Sequence, residues 1–77
     1  MKVIIYSTTT CGFCMRAKDF FHKNKIKYKE FNVASNDKAR EDMIHKSGQL
    51  GVPVIDVNGR IIIGFDEPAL RKLFKVR

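Results

Sequence analysis

The sequence predicts an α/β fold, β-α-β-α-β-β-α in order, with a four-stranded mixed sheet flanked by helices. Three observations predict it. Short β-type runs are followed by segments whose apolar residues recur at helical spacing, the pattern of β-α-β units. Late in the chain Asn58-Gly59 separates two such runs, the strongest short-range hairpin signal, because both turn positions need positive φ. At 77 residues the chain can bury one core but not two, so 1–77 is expected to be a single domain.

The first strand is read over residues 2–6, and it ends at the polar turn Ser7-Thr8-Thr9-Thr10. From Phe13 to Asn24 the residues Phe13, Ala17, Phe20 and Phe21 recur at helical spacing, with Arg16, Lys18 and Lys23 between them. The run Ile26-Lys27-Tyr28-Lys29-Glu30-Phe31 alternates apolar and charged residues, which reads as a strand with one buried face. Ser35 or Asn36 can cap a second helix, with Ala39, Met43 and Ile44 as its inner stripe and Gly48 as its end. Val54–Val57 and Arg60–Ile63 form the hairpin. Asp66 then caps a last helix, with Glu67 and Pro68 in its first turn and Ala69, Leu70, Leu73 and Phe74 inside. The first β-α-β unit should pair its strands in parallel, and the hairpin supplies the antiparallel half.

The charge balance is +7, which would suit a nucleic acid, an anionic membrane or an acidic protein. The basic residues are spread out, apart from Lys23, Lys25, Lys27 and Lys29. In an extended segment these four share one face, as a solvated strand edge does, and no stacking aromatics accompany them. Nucleic acid is therefore not an expected partner. No apolar run approaches the roughly 18–20 residues that cross a bilayer, and residues 1–6 lack the apolar stretch of a signal peptide. A monomeric, cytoplasmic protein with no membrane partner is expected.

Both cysteines stand in Cys11-Gly12-Phe13-Cys14, between the first strand and the first helix. Spacing i, i+3 at a helix start brings the two sulfurs to one face, within disulfide reach. Cys11 falls at the N-cap, where unpaired N–H groups and the helix dipole favour a thiolate. Cys14, one turn inside, gains less of that field and is expected to be more buried. Such asymmetry suits thiol–disulfide exchange, in which an exposed thiolate attacks a disulfide and a second thiol resolves the mixed disulfide. A structural disulfide would close almost no loop. A zinc site would have to recruit His22 and His45, which lie at no ligand spacing from the cysteines, so no metal site is expected.

Ile5-Tyr6-Ser7 leading into Cys11-Gly12-Phe13-Cys14, then Gly51-Val52-Pro53-Val54, then Gly64-Phe65-Asp66, resembles the glutaredoxin family over nearly the whole chain. The likeness is nearest to small prokaryotic redoxins, including those that reduce ribonucleotide reductase. It implies a thioredoxin-like fold, a cis peptide before Pro53, and a substrate or glutathione site of Thr8, Phe13, Val52, Pro53, Gly64, Phe65 and Asp66. The resemblance also implies roles. Val52 would pair its backbone with a bound glutathione or peptide, Asp66 would hold the γ-glutamyl end, and Phe13 would dock partners. Implied partners are a disulfide-containing protein and an electron source, with glutathione as donor rather than as a tightly bound cofactor.

This chain departs from the family at Gly12-Phe13, where Pro-Tyr is typical, and at Thr8, where a basic residue is frequent. Gly51 stands for a threonine, and Ile63-Gly64 for a Gly-Gly turn. Each departure alters a glutathione contact, which leaves a thioredoxin-reductase-type electron source open. Cys11-Gly12-Phe13 also resembles the Cys-Gly-Phe-Ser loop of monothiol members, which implies an alternative: a [2Fe–2S] cluster shared in a dimer by Cys11 and glutathione.

Overall fold

Strand β1, Val3–Ser7, is buried along its whole length, and a strand covered on both faces needs helices on both sides. Alternate side chains of a strand point to opposite faces. Val3 and Ile5 accordingly pack with Ala17, Phe20 and Phe21 of α1 (Gly12–Lys23) and Leu70 of α3 (Glu67–Phe74). Ile4 and Tyr6 pack with Ala39 and Met43 of α2 (Asp37–Ser47). The computed structural model describes residues 1–76 as this three-layer arrangement, with α1 and α3 on one face and α2 on the other.

The sheet order is β2-β1-β3-β4, where β2 is Lys29–Asn32, β3 is Val54–Val57 and β4 is Arg60–Ile63. β1 runs parallel to β2 and antiparallel to β3, and β3 pairs with β4 as the predicted hairpin. Asn58 and Gly59 take φ of 51° and 91°, and the Asp56 carboxylate accepts the Gly59 N–H at 2.7 Å. The caps fall where expected. Asn36 Oδ1 accepts from Ala39 N at 3.0 Å, Gly48 ends α2 in the left-handed region, and Asp66 precedes α3.

One reading is corrected. The alternating run from Ile26 does not start a strand, because α1 ends in a tight reverse turn. Lys25 takes a left-handed φ of 55°, its N–H bonds to His22 O, and Ile26 N–H reaches back to Phe21 O at 2.8 Å. That pair of bonds closes the helix end and drops Ile26 onto the core beside α1. β2 therefore begins only at Lys29. Lys23 belongs to α1 and Lys25 to the turn, so the four lysines do not line one strand face.

Candidate active site

The loop after β1 delivers Cys11 to the N-cap of α1, at the carboxyl end of the strand. Its backbone is extended (φ −95°, ψ 113°), and its sulfur accepts the Cys14 N–H at 3.1 Å. A side chain that accepts a free N–H in the first turn is a cap, the role the Cys11 sulfur fills here. The Cys11 sulfur also lies 3.8 Å from the Val52 carbonyl oxygen. It is partly exposed, whereas Cys14 is wholly buried, and both are free thiols.

Burial pushes the Cys14 thiol from 9.0 up to about 12, and its hydrogen bond to Cys11 adds to the shift. A backbone hydrogen bond from Thr8 and the Lys18 ammonium act the other way. The two sulfurs thus differ in access: Cys11 is partly exposed at the helix start, and Cys14 is enclosed and holds its proton.

The Val52-Pro53 peptide is cis, and Pro53 is buried. The Pro53 carbonyl accepts the Gly64 N–H at 2.8 Å, where Gly64 has a φ of 77° that an L side chain rarely adopts. This bond ties the segment beside Cys11 to the end of β4. Phe13 is 58% exposed, with the Arg16 guanidinium 5.4 Å from its ring centre. Gly12, Phe13 and Arg16 line a shallow cavity of about 230 Å³.

The remaining candidates are placed less directly. Thr8 is half-buried at the end of β1 and reaches the site through its backbone. The Phe65 ring turns inward, edge-on to Phe20 at 6.2 Å. Asp66 is exposed, and its Oδ1 accepts the Ala69 N–H at 3.2 Å as the cap of α3.

A polar network behind the cysteines was not anticipated. Glu30 Oε2 accepts from Lys18 Nζ at 2.9 Å and from the Ser7 hydroxyl at 2.6 Å. Those two bonds, the Ser7 bond foremost, hold the Glu30 carboxyl below its ordinary range against the opposing effect of burial. The signal for Lys18 was available, since it stands four residues after Cys14 and i, i+4 positions share a helix face. Among the described residues no three His, Cys, Asp or Glu gather as a metal set, and no helix is long and apolar enough to cross a membrane.

Comparison with known proteins agrees with this geometry. A family model described as glutaredoxin matches residues 3–62. The chain is 42% identical over 71 residues to a glutaredoxin-like 8.6 kDa protein encoded in a rubredoxin operon of Clostridium pasteurianum, covering 92% of this chain and 95% of that one. It is 35% identical over 66 residues to glutaredoxin 3 of Escherichia coli, covering 86% and 80%. A crystal structure of a variant of the thioredoxin-like protein BC3987 superposes with a TM-score of 0.92 at 25% identity, over 99% of this chain and 97% of the other. The chain has a thioredoxin-like fold and belongs to the glutaredoxin family of thiol–disulfide oxidoreductases.

Proposed function

We propose that this chain is a dithiol carrier that reduces disulfides of proteins, or mixed disulfides with glutathione, with Cys11 attacking and Cys14 resolving. The observation that carries the reading is the unequal exposure of the two sulfurs: Cys11 at the surface and capping α1, Cys14 at 0% exposure behind it. In the first step the Cys11 thiolate attacks a disulfide R–S–S–R′, forms the mixed disulfide Cys11–S–S–R, and expels R′–S⁻, which takes a proton from solvent. In the second step Cys14 loses its proton and attacks the Cys11 sulfur. The Cys11–Cys14 bond forms, R–S⁻ leaves, and two electrons have passed to the substrate.

The backbone of Val52 beside the Cys11 sulfur is proposed to align an extended peptide or glutathione. Pro53 and Gly64 would hold that edge, with Thr8, Phe13 and Asp66 around it. Phe65 would contribute its backbone, since its ring packs on Phe20. Glutathione or a thioredoxin-reductase-type flavoenzyme would return the oxidised pair to dithiol. The protein would act as a cytoplasmic monomer. The cluster alternative has less support, because Cys14 already engages the Cys11 sulfur through both its N–H and its thiol. Anaerobic reconstitution with iron and sulfide tests it, and a coloured dimer would reinstate it.

The proposal is tested by running disulfide turnover with glutathione and glutathione reductase beside the same assay with thioredoxin reductase, NADPH serving both. Cys11→Ser is expected to abolish turnover with either source, because the remaining cysteine, Cys14, is wholly buried. Cys14→Ser is expected to lose reduction of protein disulfides while retaining release of glutathione from a glutathionylated substrate. Equal losses in that last assay, with both variants folded, would refute the assigned roles.

A further inference from the structure

The dithiol mechanism leaves a difficulty at its second step. Cys14 must attack as an anion, yet it is enclosed and keeps its proton strongly. While Cys11 is joined to the substrate its sulfur is neutral and cannot support that anion as a cation would. Some other group must make the Cys14 thiolate accessible.

The polar network behind the cysteines meets that need. Cys14, Ala17 and Phe21 form the buried face of α1, and Lys18 adjoins that face one turn beyond Cys14. The β1–β2 register sets Ile5 opposite Glu30, so Glu30 shares the α1 side of the sheet with Ile5, as Ser7 does two residues further along β1. Glu30 thereby stands beside α1 with its side chain partly exposed, and its carboxylate fixes the Lys18 ammonium at 2.9 Å. The Ser7 hydroxyl, itself 1% exposed, anchors the same carboxylate oxygen at 2.6 Å. Three elements are thus used to position one cation near the buried sulfur.

Resting on the exchange reading above, we propose that Lys18 is a positioning residue for the resolving step: its ammonium, clamped by Glu30 and Ser7, stabilises the Cys14 thiolate as it attacks Cys11. Two charged groups bear on the Cys14 thiol, Cys11 against ionisation and Lys18 in favour of it. Lys18 in turn has Glu30 and Tyr28 as its neighbours beyond Cys14. Lys18 gives up no proton in this role. The Cys14 proton passes to solvent as the S–S bond to Cys11 forms, and the expelled thiolate regains one from solvent.

The test is a stopped-flow reaction of the reduced protein with one equivalent of 5,5′-dithiobis(2-nitrobenzoate), followed by thionitrobenzoate absorbance. The first release reports attack by Cys11 and the second reports resolution by Cys14. Lys18→Gln is expected to slow the second phase about tenfold, the effect of about one pKa unit on thiolate supply. The first phase should stay within about twofold, which also shows that the variant is folded. Lys18→Arg, which keeps the charge, should restore most of the second-phase rate. An unchanged second phase, equal slowing of both phases, or no restoration by arginine would overturn the proposal. Release of only one equivalent by the unmodified protein would instead sink the dithiol reading on which it rests.

Discussion

The proton that burial keeps on Cys14 links the site to stability. The folded thiol ionises at about 12 and the unfolded one near its ordinary 9.0. Between those values the folded chain holds a proton that the unfolded chain has released, so stability falls as pH rises through that window and is fully present below it. Urea unfolding under reducing conditions at about pH 8 and about pH 10.5 checks this, with Cys14→Ala as reference. The stability advantage of the natural thiol over alanine should shrink at the higher pH, and a constant advantage would contradict the burial argument. The burial of Cys14 behind Cys11 was legible in the sequence because i, i+3 spacing at a helix start sets it. Phe13, read at helical spacing with Ala17, Phe20 and Phe21, lies outside that buried face at 58% exposure. The Ser7–Glu30–Lys18 network was not legible. It joins residues 23 and 12 positions apart, and only strand register brings them together.

At the scale of single elements, legibility follows how local the determinant is. Asn58-Gly59 specifies its own backbone, and the hairpin falls on the predicted residues. Asp66 and Asn36 accept N–H groups three residues ahead, so their helices start as read. β2 was misplaced because α1 is stopped by a lysine in the left-handed region, where glycine or asparagine is the usual signal. The same residue offers a prediction. Lys25→Gly relieves the steric cost of that φ but adds backbone freedom to the unfolded chain, for a net gain of about 0.5 kcal/mol. Thermal unfolding should then rise by about 3 °C. A lower melting temperature would mean that the lysine side chain contributes contacts its exposure does not suggest.

At the scale of the whole molecule, α2 is fastened to the sheet by a cation on a largely apolar layer. Lys46 Nζ lies 2.8 Å from Asp56 Oδ2 on β3 and 2.7 Å from the Tyr6 hydroxyl on β1. Burial works against the Asp56 charge, yet Lys46 and the Gly59 N–H hold its carboxyl below the ordinary 3.8. Lys46→Met would strand that carboxylate without its cation, at a cost of about 2 kcal/mol near neutral pH for a pair that remains partly solvated. The sign with pH follows from the depressed value. The pairing stabilises above about 3.8 and is lost as pH falls below that, so the gap between the two proteins should close in acid. Denaturant midpoints at pH 7 and in acid measure it, and a gap that persists in acid would assign the loss to packing instead.

The pairing of β1 on both sides carries a consequence for how the chain is made. Its parallel neighbour follows after one helix, but the other side waits for Ile55 to meet Ile5, and closing a loop of that length comes late in folding. A ribosome releases the two cysteines long before it releases the hairpin. Until β3 docks, the Val52 carbonyl cannot stand beside Cys11. The setting of Cys11 is complete only when the second half of the sheet closes.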